Sequence, residues 1–297
     1  MPDWGQLGYG PVMLRVPLMT LLLLAPLAAQ LVTTDAGVIS PELPTVKERL
    51  EWWSREHADE LRAITRLSWA PERRLQLDLA VPLVARTVAV PSTGGELRGR
   101  QEGLGDLTFG AKWALVRADD VMRSDRLSVL AEVSLPTGDD NAFVDGVDLG
   151  PRAALGLGTF GGSLGLGYTL VRDRHRAAVA LRGSAFASDD GFAPGEELAL
   201  DVAWWVRLSP REFLPEHTGL EWRGVLEVLS RWQTDDTVRA IDQQNGGREL
   251  SFVFGLQANL NLATSCEVGV VVPLDITTGS PFGEPDFGLL FSFRVSF

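Results

Sequence analysis

The feature that most constrains this chain is an alternation of apolar and polar residues with a period of two, sustained for about ten residues at a time. Residues 287–297 set Phe287, Leu289, Phe291, Phe293, Val295 and Phe297 on one face and Gly288, Ser292, Arg294 and Ser296 on the other. Residues 250–262 set Leu250, Phe252, Phe254, Leu256, Ala258, Leu260 and Leu262 against Ser251, Gln257, Asn259 and Asn261, and 74–86, 105–115 and 126–135 repeat the pattern. Successive side chains of a strand point to opposite faces, so each segment reads as a strand with one apolar and one polar face. Strands in soluble sheets average about 5–6 residues, whereas a tilted strand that crosses a bilayer needs about 9–11. Hydrocarbon tolerates no open sheet edge, so many such strands in one chain imply closure. The expected fold is all-β: an antiparallel transmembrane β-barrel of the bacterial outer membrane.

Composition excludes several other classes. The 27 Lys and Arg against 39 Asp and Glu give a formal net charge of −12, which argues against a nucleic-acid binder driven by positive charge. Outside one N-terminal segment no apolar run approaches the ~20 residues of a membrane-spanning helix. The 31 glycines in 297 residues exceed the typical ~7%. Lumen-facing positions of a barrel would use them, and Gly110, Gly165, Gly167, Gly255, Gly269 and Gly288 are expected there.

From Met13 the chain reads MLRVPLMTLLLLAPLAAQLV, a charged start, an apolar centre and small residues in the order of a secretory signal peptide. Residues 1–29 are expected to be that signal, with Met13 as the natural start, followed by a periplasmic segment 30–44 and a barrel over 45–297. Cys266 is the only cysteine, so an exported chain of this sequence has no internal disulfide.

Thirteen candidate strands can be marked, among them 149–158, 162–172, 175–187 and 196–208. Bacterial single-chain barrels carry even numbers, so one strand between 149 and 209 is miscounted, and twelve strands fit the length better than fourteen. The Gly/Pro-rich stretches 89–104 and 137–148, with 234–248 and 276–285, are expected as outer loops, and 70–73 and 262–265 as tight inner turns. Trp69, Trp113, Trp204 and Trp222 fall on apolar faces near inner connections and Trp232 near an outer one, the pattern of an interfacial aromatic girdle.

If the apolar faces meet lipid, the opposite faces line the lumen. That puts Arg66, Asp78, Arg86, Asp106, Lys112, Arg126, Glu132, Arg182, Asp201, Arg207, Glu227, Arg231 and Arg294 on a candidate solute path, with Arg62, Arg176, Glu221, Arg223 and Glu267 on the same faces. Such charges either stabilise the barrel as an inner lattice or set the preference of a conduction path. No catalytic, cofactor-binding or metal-binding residues are assigned. His57, His175 and His217 lie near connections, in no recognisable nucleophile motif and without metal-ligand spacing. The acidic pairs Asp139 and Asp140, Asp189 and Asp190, and Asp235 and Asp236 read as solvated loop residues.

The segment GLGDLTFGAKWAL at 103–115, with Leu135-Pro136-Thr137-Gly138-Asp139-Asp140 after the next strand, resembles the MetA-pathway of phenol degradation family. The resemblance runs from about residue 45 to Phe297. It implies an outer-membrane barrel that transports small, aromatic or other hydrophobic solutes, and it carries over no substrate-binding residues. The terminal strand ending on Phe297 resembles the C-terminal strand of outer-membrane proteins, whose last aromatic is an assembly signal. The expected partners are therefore outer-membrane lipid, the barrel-assembly machinery and an unidentified small solute, with no nucleic acid, and a monomer is favoured over an oligomer. The alternatives are a structural or assembly barrel with a plugged lumen, a lipid-modifying barrel enzyme and a soluble secreted β-protein.

Overall fold

The computed structural model describes residues 44–92, 95–120, 123–140, 143–144, 147–148, 153–189, 191–210, 219–261, 263–277 and 284–297. The expected signal peptide, the start at Met13 and the segment 30–44 apart from Pro44 lie outside the described residues. Among the described residues the named elements are all strands: β1 (Thr45–Arg55), β2 (Ala58–Glu72), β3 (Leu75–Ser92), β4 (Gly95–Leu104), β5 (Leu107–Asp120), β6 (Arg123–Leu135), β7 (Phe143–Val144), β8 (Val147–Asp148) and β9 (Gly161–Arg172). There follow β10 (His175–Phe186), β11 (Phe192–Ala193), β12 (Glu197–Ser209), β13 (Glu221–Gln233), β14 (Thr237–Val238), β15 (Ile241–Asp242), β16 (Gly247–Asn259), β17 (Thr264–Ile276) and β18 (Pro285–Ser296).

Twelve antiparallel strands close into a barrel in the order β1, β2, β3, β5, β6, β9, β10, β12, β13, β16, β17, β18. The ring is sealed where β18 returns to β1, in register from Thr45 opposite Ser296 to Trp53 opposite Gly288. At Gly288 a side chain would stand 2.9 Å from the Trp53 ring, so glycine is what lets Trp53 lie flat against the seam. The two ends of the barrel differ. Both ends of the sheet's chain, at Thr45 and Ser296, lie with the tight connections after β2, β5, β9 and β16, together with the longer 210–220 connection between β12 and β13; the other long connections lie at the opposite end, beside the two-residue turn after β1. We call these the short-turn end and the loop end.

Two segments depart from the sequence expectation. The stretch 149–158 was the miscounted strand: residues 153–160 make bends, and the described part of this stretch joins no ladder. The stretch 89–104 was expected as loop, yet 95–104 forms β4, a strand additional to the twelve. β4 pairs with the loop-end half of β3, from Leu83 opposite Leu104 to Ser92 opposite Gly95. β5 takes the other half of β3, from Leu75 opposite Trp113 to Ala80 opposite Thr108. β4 and β5 therefore run one after the other along β3, broken at Gly105 and Asp106. The sequence GELRGRQEGL of β4 has no apolar face, which is why alternation could not reveal it.

The two faces of the wall have opposite character. Leu164 is 68% exposed, Phe254 54% and Phe291 49%, which is intelligible only if that face meets lipid. Trp69, Trp113, Trp204, Trp222 and Trp232 are exposed on the same face. The strand registers put Gly110, Gly165, Gly167, Gly255, Gly269 and Gly288 on the opposite, inner face. Cys266 is half-buried near the start of β17.

Candidate functional site

The inner face is a charged lattice built by strand parity. Arg66, Asp78, Arg86, Lys112, Arg126, Glu132, Arg182, Asp201, Arg207, Glu227, Arg231 and Arg294 all occupy inward positions of their strands. Several of them are brought together across the lumen rather than along it. Glu132 on β6 lies 3.6 Å from Arg66 on β2 and 3.5 Å from Arg182 on β10, bridging strands that are not neighbours. Asp78 accepts a hydrogen bond from Gln76 at 2.8 Å and another from Ser68. Arg231 reaches Glu249 at 3.7 Å, and Arg207 reaches Asp173 at 3.8 Å. Glu227 and Glu267 are buried in the inner face, with Lys47 close to both.

The lattice is interrupted by apolar side chains that alternation does not mark as special. Trp205, Val225, Val253, Val271 and Leu290 are buried inside the barrel and pack with Trp53 and Leu229. Trp53 and Trp205 each follow an outward Trp, and the doubled tryptophan conceals which one faces in. A second apolar element opens in the wall. Near the loop end β9 and β10 carry Gly162, Ser163, Gly183, Ser184 and Ala185, and a cavity of about 750 Å³ lies there, flanked by outward Leu164, Leu198 and Trp232.

At the loop end the residues that carried the family resemblance meet. Asp106, in the break between β4 and β5, accepts hydrogen bonds from the amides of Thr137 at 3.1 Å, Gly138 at 3.0 Å and Leu157 at 2.8 Å. Thr137 Oγ1 accepts the amide of Leu107 at 2.9 Å. A side chain at Gly156 would come within 2.4 Å of Asp106 Oδ1, and one at Gly138 within 2.8 Å of Gly156 Cα, so the three segments touch by main chain alone. The connection between β6 and β9 is thereby folded back onto the barrel. Arg86 completes the contact: it donates to the carbonyl of Ala153 at 2.7 Å and to Glu60 at 2.7 Å, while Arg62 holds the other oxygen of Glu60 at 2.8 Å. Ala153 is fully buried. Asp106, expected among lining charges, thus holds a loop.

The acidic loop pairs divide in the same way. Asp139 and Asp140 are exposed, but Asp236 is buried and accepts the amide of Gly195 and the side-chain amide of Asn245, each at 2.7 Å. It ties the connection after β13 to the one before β12. His175 stacks on outward Trp204, with ring centroids 5.7 Å apart. Among the described residues no group of three or more His, Cys, Asp or Glu is arranged to hold a metal ion.

At the short-turn end, charged side chains gather at the mouth of the lumen. Asp119 accepts hydrogen bonds from Arg117 at 2.6 Å, Ser124 at 2.6 Å and Arg126 at 2.9 Å. Beyond them a pocket of about 230 Å³ opens between β6, β9, β10, β12 and β13.

A closed twelve-stranded antiparallel wall with a lipid-compatible exterior and a charged interior defines an outer-membrane β-barrel. Residues 58–270 match the family described as "Putative MetA-pathway of phenol degradation", and the chain belongs to that family. No curated protein matches it in sequence. Among solved structures it is similar to the COG4313 outer membrane channel from Pseudomonas putida F1, with a TM-score of 0.70, 13% identity, and coverage of 90% of this chain and 100% of that one. LpxR from Salmonella typhimurium is also similar, with a TM-score of 0.45 and 10% identity over 85% of this chain and 100% of that one.

Proposed function

We propose that the chain forms an outer-membrane channel for small solutes, aromatic and hydrophobic compounds among them. The observation that carries this reading is the cross-lumen arrangement of charge, with Glu132 held between Arg66 and Arg182. Charges of both signs that meet across an interior need water or close partners, and rings of such charge are how polar conduction paths select what passes. The family's description and the name of the Pseudomonas putida F1 protein as an outer membrane channel support the same reading. The buried apolar group around Trp205 and Val253, and the cavity beside Leu164 and Trp232, supply surface that a solute with an apolar body can use.

In this reading the short-turn end faces the periplasm and the loops face outward. The signal peptide exports the chain, Phe297 is read by the barrel-assembly machinery, and the barrel works as a monomer surrounded by outer-membrane lipid. Barrels of about eight strands are filled by side chains and those of sixteen to eighteen hold an aqueous channel, so twelve admits either outcome. A second reading, a plugged structural barrel, is favoured by the burial of Glu227, Val253, Val271 and Leu290.

Single-channel recording on the refolded protein in planar bilayers separates the two. Discrete conductance steps are expected. Protein that migrates as a heat-modifiable folded barrel yet shows no steps at any voltage would overturn the channel and support the plug.

A further inference from the structure

The pocket at the short-turn mouth is lined by Arg126, Arg174, Arg176, Arg207 and Arg223. Among the described residues the one carboxylate in its lining is Asp173, 3.8 Å from Arg207. This balance runs against the chain's overall charge of −12, so it is a local arrangement and not a sample of the background.

The guanidinium groups are also held in position from behind. Arg126 is fixed by Asp119 at 2.9 Å, Arg223 by Glu221, and Arg174 by donation to the carbonyl of Arg207 at 2.8 Å. Arg176 lies over the ring of Trp205, its guanidinium carbon 5.0 Å from the ring centroid. Bracing of this kind reduces the side-chain entropy that a ligand must otherwise remove, which is how preorganised sites gain affinity. A planar guanidinium fork matches a carboxylate bidentately, and Arg is more weakly hydrated than Lys, so several arginines in one recess favour an organic oxyanion. The volume of about 230 Å³ equals roughly seven or eight waters at about 30 Å³ each, room for a single-ring acid. Trp205, buried beneath Arg176, puts an aromatic edge in the lining.

We infer that this pocket binds the carboxylate of a small organic anion, with aromatic carboxylates the preferred class. The inference rests on the channel reading only for its place in transport, since it gives the solute of that channel a negative charge. Binding itself stands apart from conduction.

The test uses the refolded full chain in detergent micelles, titrated calorimetrically with benzoate, with benzyl alcohol as the uncharged counterpart, and with inorganic phosphate. Benzoate is expected to bind at least tenfold more tightly than either, and added salt is expected to weaken it. Arg176→Gln combined with Arg207→Gln should lower benzoate affinity tenfold or more. Arg223→Lys, which keeps the charge and loses the fork, should lower it less than Arg223→Gln. Heat-modifiable migration confirms that each variant is folded. Equal binding of benzoate and benzyl alcohol would overturn the proposal, and so would unchanged affinity in the double variant. Phosphate binding as tightly as benzoate would overturn the assignment to an organic carboxylate. Bilayer recording of the same samples keeps the two readings apart. Conductance without benzoate binding removes the pocket and leaves the channel, whereas benzoate binding without conductance leaves the pocket and removes the channel.

Discussion

Asp106 holds three main-chain amides with one carboxylate, and two of those amides come from one side of the connection between β6 and β9 while the third comes from the other. Hydrogen bonds to a charged group contribute roughly 1.5–3 kcal/mol each, less where water reaches them, as it does at Thr137, and can take the place of the carboxylate. Asp106→Ala is therefore expected to destabilise the folded barrel by about 2–4 kcal/mol, read from urea unfolding in lipid vesicles by tryptophan fluorescence. Gly156→Ala should cost a similar amount, because its methyl group would collide with the same carboxylate oxygen. The double variant should cost clearly less than the two single costs added together, since each change breaks the same contact. Additive losses would mean that the two residues act separately. Strand parity carried to Asp106 was enough to assign it an inward direction from sequence. That the loop comes down to meet it was not legible, because the glycines that permit the approach, Gly138 and Gly156, look like ordinary loop glycines until the segments are together.

At the scale of the strands the sequence is unusually readable, because lipid outside and charge inside impose the same alternation at every residue. The twelve wall strands are among the thirteen that this rule marks, and the direction of the inner glycines and of the outward tryptophans follows from it as well. It fails where one of the two solvents is missing. β4 extends β3 in a segment with no apolar face, so the period-two signal vanishes although the ladder continues. The stretch 149–158 alternates by accident of small residues, and its described part, 153–158, folds as bends. Inside the barrel the rule also misses Trp53, Trp205 and Leu290, since it predicts polar groups there. A substitution that reverses the outer solvent tests the rule itself. Phe254, on the lipid face in the middle of β16, should tolerate leucine at a cost of less than about 1.5 kcal/mol. Arginine there should cost about 2–4 kcal/mol by the same unfolding measurement, the range for a charge placed on the lipid face near the bilayer midplane. An arginine variant as stable as the leucine variant would show that this face does not meet hydrocarbon.

The barrel as a whole is a wall with two differently built ends, and in the channel proposed above the narrower end would set the conductance. At the loop end, Arg86 joins the wall to the returning loop through Ala153 and is neutralised by Glu60, which Arg62 also holds. Arg86 and Glu60 are both nearly inaccessible to solvent, so the pair acts as an internal latch. Removing one member of a buried pair costs roughly 3–5 kcal/mol because the other is left charged. The remaining bond from Arg62 should keep the cost of Arg86→Met near the lower end of that range. Arg86→Met with Glu60→Leu should recover part of it by removing the stranded charge. Conductance should answer differently from stability. Both the single and the double variant release the loop from Ala153, so both should conduct more than the unaltered protein and with noisier open states, whether or not stability is recovered. Asp106→Ala, which frees the loop at its other attachment, should shift conductance in the same direction. If all three variants matched the unaltered protein in step size and noise, the narrowest point would lie elsewhere. The buried apolar group around Trp205 and Leu290 would then be the next place to widen.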